Sequence, residues 1–153
     1  MALLFLGLFI IFWITVNLKY GIQIMINVVA AIIKKNNHFL IVQRNRKKHL
    51  GLKWEFPGGK VQESETYEEA LSREINEELN ITISLQNKIA EEKYKDEKID
   101  IILHYYLCIH ESGTIILSEH EDLAWIGKKD FDKYDFAEGD GNILSLLSFS
   151  PIN

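Results

Sequence analysis

A short segment near the middle of the chain carries start, stop and packing signals for one amphipathic helix. Thr66, with Glu69 three residues later, forms a capping box, and Asn80 stands where a left-handed residue commonly ends a helix. Between these ends an apolar residue recurs at every fourth position: Leu71, Ile75 and Leu79. A helix that buries this stripe must pack on a core supplied by the rest of the chain.

The segments around this helix predict several strands and one further helix. Residues 27–34 and 38–43 are apolar and β-branched on either side of a turn at 35–37, which is typical of a hairpin. Further predicted elements are a strand at 54–56 stopped by Pro57-Gly58-Gly59, strands at 99–109 and 114–117, and a closing helix at 142–147. Because strands and helices are mixed without regular alternation, we expect an α/β (α+β) sandwich around a mixed sheet.

Size, composition and charge exclude several classes of protein. At 153 residues and 47% hydrophobic, the chain fits one globular domain. Its single cysteine, Cys108, cannot form an internal disulfide, so a reducing, cytoplasmic location is expected. A net charge of −5 argues against a partner that is a nucleic acid polymer, since such binding needs a basic surface.

The first 24 residues differ from the remainder. Residues 2–18 carry no charge and would span about 26 Å as a helix, close to the roughly 30 Å of a bilayer core. The first basic residue is Lys19, and a basic cluster follows at 44–53, which would leave the rest of the chain in the cytoplasm. Residues 1–24 are therefore either a membrane anchor or an upstream extension, as from a misassigned start, and residues 25–153 form the functional domain.

Three glutamates share one side of the predicted helix. Glu74, Glu77 and Glu78 fall within a sector of about 100°, beside the apolar stripe. Carboxylates gathered at a core boundary repel one another unless a cation compensates them, and hard oxygen ligands select Mg²⁺ or Mn²⁺. The alternative is a solvated acidic face in which Arg73 bridges Glu69 and Glu77.

The order of residues around these glutamates resembles the Nudix box, G-x5-E-x7-R-E-U-x-E-E-x-G-U. Segment 59–81 reads GKVQESETYEEALSREINEELNI and matches the box at Gly59, Glu65, Arg73, Glu74, Ile75, Glu77, Glu78 and Ile81. It departs once, where Asn80 replaces a glycine, and Asn is the commonest other residue in the left-handed conformation. Segments 54–60, 119–125 and 136–140 also resemble MutT-like and cytidine-nucleotide-cleaving members, so the resemblance covers most of 25–147.

This resemblance implies hydrolysis of a nucleoside diphosphate linked to another group, by attack of water on phosphorus with Mg²⁺ or Mn²⁺ as cofactor. By the family pattern, the metal ligands are Glu77, Glu78 and the Gly58 carbonyl. Glu74 is the first candidate for a further ligand or the general base, and Glu119 is the alternative. Arg73 is implied to orient these carboxylates, while Glu65 fixes the loop.

Substrate contacts are assigned from the same resemblance. Arg44 and Lys60 are candidates for binding phosphate, whereas the other bases of the cluster fit a solvated loop: Arg46, Lys47, Lys48 and Lys53. Asp140 aligns with the position that reads the base edge, and an ionised Asp favours an exocyclic amine. The aromatic residues either stack on a base or belong to the core: Tyr94, Tyr105, Tyr106 and Phe136. The spacing of His104, His110 and His120 does not suggest a zinc site.

The function indicated by the sequence is a MutT-like nucleoside triphosphate pyrophosphohydrolase. Its substrate would be a nucleoside triphosphate such as 8-oxo-dGTP or a cytidine nucleotide, cleaved to the monophosphate and pyrophosphate. Two alternatives stay open: hydrolysis of ADP-ribose or a dinucleotide, and a non-catalytic Nudix module that binds nucleotide.

Overall fold

The computed structural model describes residues 25–149. The apolar segment 2–18 lies outside the described residues, so its assignment as an anchor or an extension stays a prediction. No helix within 25–149 has the length and apolar character needed to cross a membrane.

Residues 25–149 form seven strands and two α-helices. The strands are β1 Ile26–Lys35, β2 His38–Gln43, β3 Trp54–Glu55, β4 Gly58–Lys60, β5 Thr82–Lys95, β6 Asp100–Ser112 and β7 Asp122–Gly127. The helices are α1 Tyr67–Leu79 and α2 Gly141–Phe149, and two 3-10 turns, Lys128–Lys133 and Glu138–Asp140, precede α2. The predicted hairpin, the strand at 54–56, the strand at 99–109 and both helices are confirmed.

All seven strands belong to one mixed sheet in which β1 is central. On one edge β1 runs parallel to β6, from Ile26 opposite Ile101 to Lys34 opposite Ile109. The other edge of β1 is divided, because β2 pairs with its far end and β4 pairs with Val28 to Ala30. The glycine turn is thereby held directly against the middle of the sheet.

The sheet separates two apolar cores, each covered by one helix. Alternate residues of β1 point to opposite sides, with Val29, Ala31 and Ile33 packing under α1 and Ala30 and Ile32 on the α2 side. The stripe predicted for α1 is fully buried in the first core: Leu71, Ile75 and Leu79. This helix–sheet–helix layering confirms the predicted α/β (α+β) sandwich.

Both ends of α1 follow the sequence signals. The Thr66 side chain accepts a hydrogen bond from the Glu69 backbone while Glu69 reaches back to the Thr66 backbone, which completes the capping box. Asn80 adopts the left-handed conformation, with φ 57° and ψ 34°, and its N–H donates to the Asn76 carbonyl. The asparagine therefore supplies the left-handed residue that a glycine commonly provides at the end of a helix.

The predicted strand at 114–117 is wrong. This segment has no regular secondary structure, and its backbone bonds the end of α1: the Ile116 N–H donates to the Leu79 carbonyl at 3.0 Å, and the Ser118 N–H donates to the Glu78 carbonyl at 3.0 Å. The apolar side chains of Ile115 and Leu117, which suggested a strand, pack against the first core. The segment ties α1 to the loop that carries Glu119.

Candidate active site

A cavity of about 450 Å³ opens beside the glycine turn. It collects seven of the residues that the sequence analysis placed in the site: Arg44, Gly58, Gly59, Lys60, Glu74, Glu78 and Asp140. Carboxylates of α1 lie at one side, and Asp140 comes from the turn before α2 on the opposite layer. The cavity therefore connects the acidic helix with the residue expected to read a base.

Gly58 and Gly59 allow the glycine turn to pack closely against β1 and α1. A Cβ on Gly58, whose φ is 156°, would lie 1.9 Å from the carbonyl oxygen of Val29 in β1. A Cβ on Gly59 would lie 2.3 Å from the carboxyl carbon of Glu74. The first glycine thus allows close pairing with the sheet, and the second leaves space for a carboxylate.

Glu78 is the charged residue on the buried face of α1. It is 6% exposed, and its Oε2 is buried without a hydrogen-bond partner. Burial, followed by repulsion from Glu55, Glu74 and Glu119, raises the pKa of Glu78 to about 8. A buried carboxyl group with an unpartnered oxygen is costly unless a proton or a cation compensates it.

Arg73 joins the helix to the loop before it. Its Nε and one terminal nitrogen bind both oxygens of Glu65 at 2.6 and 2.9 Å, and the other terminal nitrogen binds Glu74 at 2.8 Å. A hydrogen bond to the Lys60 carbonyl at 3.2 Å anchors the chain after the glycine turn. Hydrogen bonds from Arg73 hold the pKa of Glu65 at about 2, well below its usual value. This geometry suits the orienting role that the resemblance implied for Arg73.

Glu77 does not line the cavity. Its side chain is 59% exposed and binds Arg73 at 3.3 Å. The structure thus brings two of the three predicted carboxylates, Glu74 and Glu78, into the cavity lining, whereas Glu77 is exposed and is not part of it. The alternative bridge from Arg73 to Glu69 is not formed, because Glu69 is engaged in the capping box.

Arg44 also has a partner that the sequence analysis did not foresee. Its guanidinium binds the carboxylate of Glu55 and donates to the His49 carbonyl at 2.9 Å. Glu55 further contacts His120 Nε2 at 3.6 Å, and the His120 Nδ1 is buried without a partner. Arg44 is therefore held at the cavity wall by a carboxylate.

Glu119 is tied to the basic loop. Its carboxylate accepts a hydrogen bond from Lys48 Nζ at 2.5 Å, and this bond lowers the pKa of Glu119. Its side chain is 52% exposed and lies outside the cavity lining, although its charge contributes to the raised pKa of Glu78. Glu119 thus lies near the acidic site but is held by a lysine.

Asp140 is buried at the far side of the cavity. Tyr105 donates a hydrogen bond to Asp140 Oδ1 at 2.5 Å, while Oδ2 is buried without a partner. Burial raises the pKa of Asp140 to about 7, against the opposing effect of the Tyr105 hydrogen bond. The sequence analysis treated this side chain as ionised, whereas its burial in the fold disfavours the ionised form.

The aromatic candidates divide between cavity and core. Tyr94 lines the cavity, whereas Tyr105 and Tyr106 are buried in the two cores. Phe136 lies outside the cavity lining and packs on Phe56, with ring centroids 5.8 Å apart. In this structure Phe136 supports Phe56 in the cavity wall, and stacking of Phe136 on a base stays a prediction.

Some residues of the cavity were missed by sequence reasoning. Glu55 and His49 both line it, and His49 contacts Asp96 at 2.9 Å. Glu55 had a detectable signal, since it is a lone charge between Trp54 and Phe56 in a strand that ends at the glycine turn. His49 lies in an irregular loop, where no periodicity indicates the direction of a side chain.

The oxygen donors at the acidic side suit a hard divalent cation. They comprise the unpartnered Glu78 oxygen, the carboxylate of Glu74 and the backbone of the glycine turn. Within residues 25–149, no group of three His, Cys, Asp or Glu side chains lies close enough to hold a metal ion. Glu77 and Glu119 are not among these oxygen donors, because Arg73 binds Glu77 and Lys48 binds Glu119.

Comparison with known proteins identifies the family. The NUDIX domain model matches residues 24–147. Over 123 residues the chain is 34% identical to the CTP pyrophosphohydrolase of Escherichia coli K12, covering 80% of this chain and 91% of that protein. Over 121 residues it is 33% identical to the 8-oxo-dGTP diphosphatase of Buchnera aphidicola subsp. Schizaphis graminum, covering 79% of this chain and 92% of that protein.

A solved structure agrees in fold. The solution structure of the mismatch repair protein MutT from methicillin-resistant Staphylococcus aureus 252 superposes with a TM-score of 0.68 at 34% identity, covering 83% of this chain and 98% of that one. The family match extends over the same elements that build the cavity, from β1 to α2. The chain belongs to the Nudix hydrolase family, and its MutT-like relatives include proteins named CTP pyrophosphohydrolase and 8-oxo-dGTP diphosphatase.

Proposed function

We propose that this enzyme is a Mg²⁺-dependent nucleoside triphosphate pyrophosphohydrolase that acts on 8-oxo-dGTP or a cytidine nucleotide. Water adds to phosphorus, the bridging bond between the α- and β-phosphates breaks, and a monophosphate and pyrophosphate leave. The observation that carries this proposal is that one cavity is lined by two buried carboxyl groups with unpartnered oxygens, Glu78 and Asp140. Such groups in a cavity point to a polar ligand.

We assign the cation to the acidic side of this cavity. Nudix hydrolases use divalent metal ions, and Glu74, Glu78 and the Gly58 carbonyl are the proposed ligands. When bound, the cation supplies the positive charge that lets buried carboxylates and a polyphosphate lie together. Glu77 and Glu119 are proposed as additional ligands of the cation. To bind it, Glu77 would leave Arg73 and Glu119 would leave Lys48.

Glu74 is the preferred general base. It lines the cavity with its side chain 17% exposed, and Arg73 binds only one of its oxygens. As a ligand of the cation, the Glu74 carboxylate would also lie beside the attacking water and could accept its proton. Glu119 is the less favoured base, because its carboxylate is bound by Lys48 and lies outside the cavity lining. Arg44 and Lys60, both in the cavity lining, are the proposed contacts to phosphate oxygens.

The experiment that tests this function is a panel of triphosphates at fixed Mg²⁺, with products separated by ion exchange. We expect equimolar monophosphate and pyrophosphate, with highest kcat/KM for 8-oxo-dGTP or a cytidine triphosphate. Nucleotide binding without turnover would favour a non-catalytic module, and preferred cleavage of ADP-ribose or a dinucleotide would favour the other enzymatic alternative.

Substitution of Asp140 tests base recognition. Asp140→Asn keeps the shape of the side chain but replaces one carboxyl oxygen, an acceptor when ionised, with an amide NH₂ group that only donates. We expect kcat/KM for the preferred nucleotide to fall about tenfold, as for one lost hydrogen bond to a buried group, and its advantage over other triphosphates to shrink. Hydrolysis of inorganic triphosphate, if present, is the internal control, because it has no base. An unchanged ranking of nucleotides in the variant would contradict the assignment.

A further inference from the structure

The basic loop between β2 and β3 is anchored at both of its sides. Arg46 binds Glu121 through its backbone N–H and two guanidinium nitrogens, at 3.0 to 3.2 Å. On the other side His49 binds Asp96 at 2.9 Å, and the His49 carbonyl accepts a hydrogen bond from Arg44. These contacts fix the loop beside the cavity independently of any ligand.

Lys48 lies between these two anchors and reaches toward the acidic site. It lines the cavity together with Glu74 and Glu78, and its Nζ binds Glu119 at 2.5 Å. Its positive charge opposes the repulsion that acts on Glu78. Lys48 is therefore an exposed ammonium group, as expected for this loop, but it is positioned where negative charges of the enzyme and of a polyphosphate would meet.

The Lys48–Glu119 ion pair is weak enough for Lys48 to leave Glu119 and bind another anion. The two side chains are 48% and 52% exposed, and ion pairs at such exposure are weak, because water screens them and two long side chains must be ordered. The lysine stem has four rotatable carbons, so its ammonium can move without displacing the anchored backbone. A phosphate oxygen of a triphosphate offers it a more highly charged acceptor.

We propose that Lys48 is a phosphate-binding residue that changes partner during the reaction cycle, an inference that rests on the proposed function. Without nucleotide, Lys48 binds Glu119 and neutralises part of the acidic cluster. When a polyphosphate enters, the ammonium transfers from Glu119 to a phosphate oxygen. Glu119 is thereby released toward the cation or the attacking water only when substrate is present.

The test compares Lys48→Met with Lys47→Met in the full chain. Lys47 is the matched control, because it is a neighbouring exposed lysine of the same loop that does not line the cavity. Two dissociation constants are measured by calorimetry: one for Mn²⁺ alone, and one for an α,β-methylene nucleoside triphosphate in millimolar Mg²⁺.

Partner exchange predicts opposite changes for the two ligands. In Lys48→Met, the nucleotide Kd rises about tenfold or more, since a charged hydrogen bond to phosphate is lost. The Mn²⁺ Kd falls about two- to fivefold, since Glu119 no longer has a competing ammonium partner. In a Glu119→Gln background, the gain in Mn²⁺ affinity disappears. Lys47→Met leaves both values within about twofold, as expected for a solvated charge.

Two results would overturn the proposal: unchanged nucleotide affinity in Lys48→Met, or Mn²⁺ binding that is weaker than in the wild type. Either would show that Lys48 only holds the loop. If Lys48→Met does not fold, Glu119→Gln decides the matter, because a freed Lys48 must then bind inorganic triphosphate more tightly in EDTA. If the enzyme binds the analogue but hydrolyses no triphosphate, the proposed function is wrong. The partner exchange of Lys48 can still be judged, because both dissociation constants are measured without turnover.

Discussion

Glu78→Gln should lower kcat by about 100-fold or more while leaving the fold intact. The substitution keeps the volume of a side chain that is 6% exposed, but it removes the negative charge proposed to hold the cation. A loss of this size corresponds to about 2.7 kcal/mol of transition-state stabilisation, which is typical for removal of a metal-bound charge. The measurement is initial rate at saturating triphosphate and Mg²⁺, with circular dichroism of both proteins as the control. A rate near that of the wild type would remove Glu78 from the metal site.

The same variant should stabilise the enzyme when metal is withheld. Burial raises the pKa of Glu78 from 4.5 to about 8, so folding favours its protonated form. The contribution of Glu78 to stability is thus fully present below pH 4.5 and is lost progressively as pH rises to 8. In EDTA, Glu78→Gln should match the wild type near pH 4.5 and exceed its free energy of unfolding by on the order of a few kcal/mol at pH 8. Urea titrations at both pH values measure this difference, and a variant less stable than the wild type at pH 8 contradicts it.

Gly59→Ala should separate activity from stability. Its methyl group would lie 2.3 Å from the carboxyl carbon and 2.5 to 2.6 Å from the oxygens of Glu74. Because these atoms end a flexible side chain, the carboxylate can move aside and the fold persists, but Glu74 then leaves its hydrogen bond with Arg73. We expect kcat to fall by about 10- to 100-fold, in the range for a displaced catalytic group, with a change in Tm of only a few degrees.

Gly141→Ala is the matched control for this substitution. Gly141 has ordinary helical angles, φ −59° and ψ −43°, and an added Cβ meets nothing within 4 Å. Alanine there should keep full activity and stabilise the protein slightly, by about 0.4–1 kcal/mol. Equal activity of the two alanine variants would show that the space at Gly59 is not needed for the carboxylate.

The central helix was predictable because its signals are local. The capping box at Thr66 and the left-handed Asn80 both act within a few residues, and the structure reproduces both. Strand β5, in contrast, has no clear sequence signal. Only Ile83 of this strand is buried, and register shifts near Leu85 and Lys88 interrupt the alternation that would mark a strand.

The sequence predicted which residues belong to the site better than it predicted which of them contact one another. The family spacing named Glu74, Glu78 and Asp140, and the structure places all three in one cavity. Sequence spacing could not show that Lys48 holds Glu119, because their contact joins residues 71 positions apart. It also could not give the raised pKa of Asp140, which depends on burial created by the whole fold.

The most direct test of the account is the location of the cation. Crystals of the enzyme with Mn²⁺ and an α,β-methylene triphosphate would show the metal by anomalous scattering. We predict a peak among the Glu78 carboxylate, the Glu74 carboxylate and the Gly58 carbonyl, with the base of the nucleotide beside Asp140. Ordered Glu74 and Glu78 side chains that turn to bulk solvent, with no anomalous peak at millimolar Mn²⁺, would contradict the proposed metal site and the reaction that depends on it.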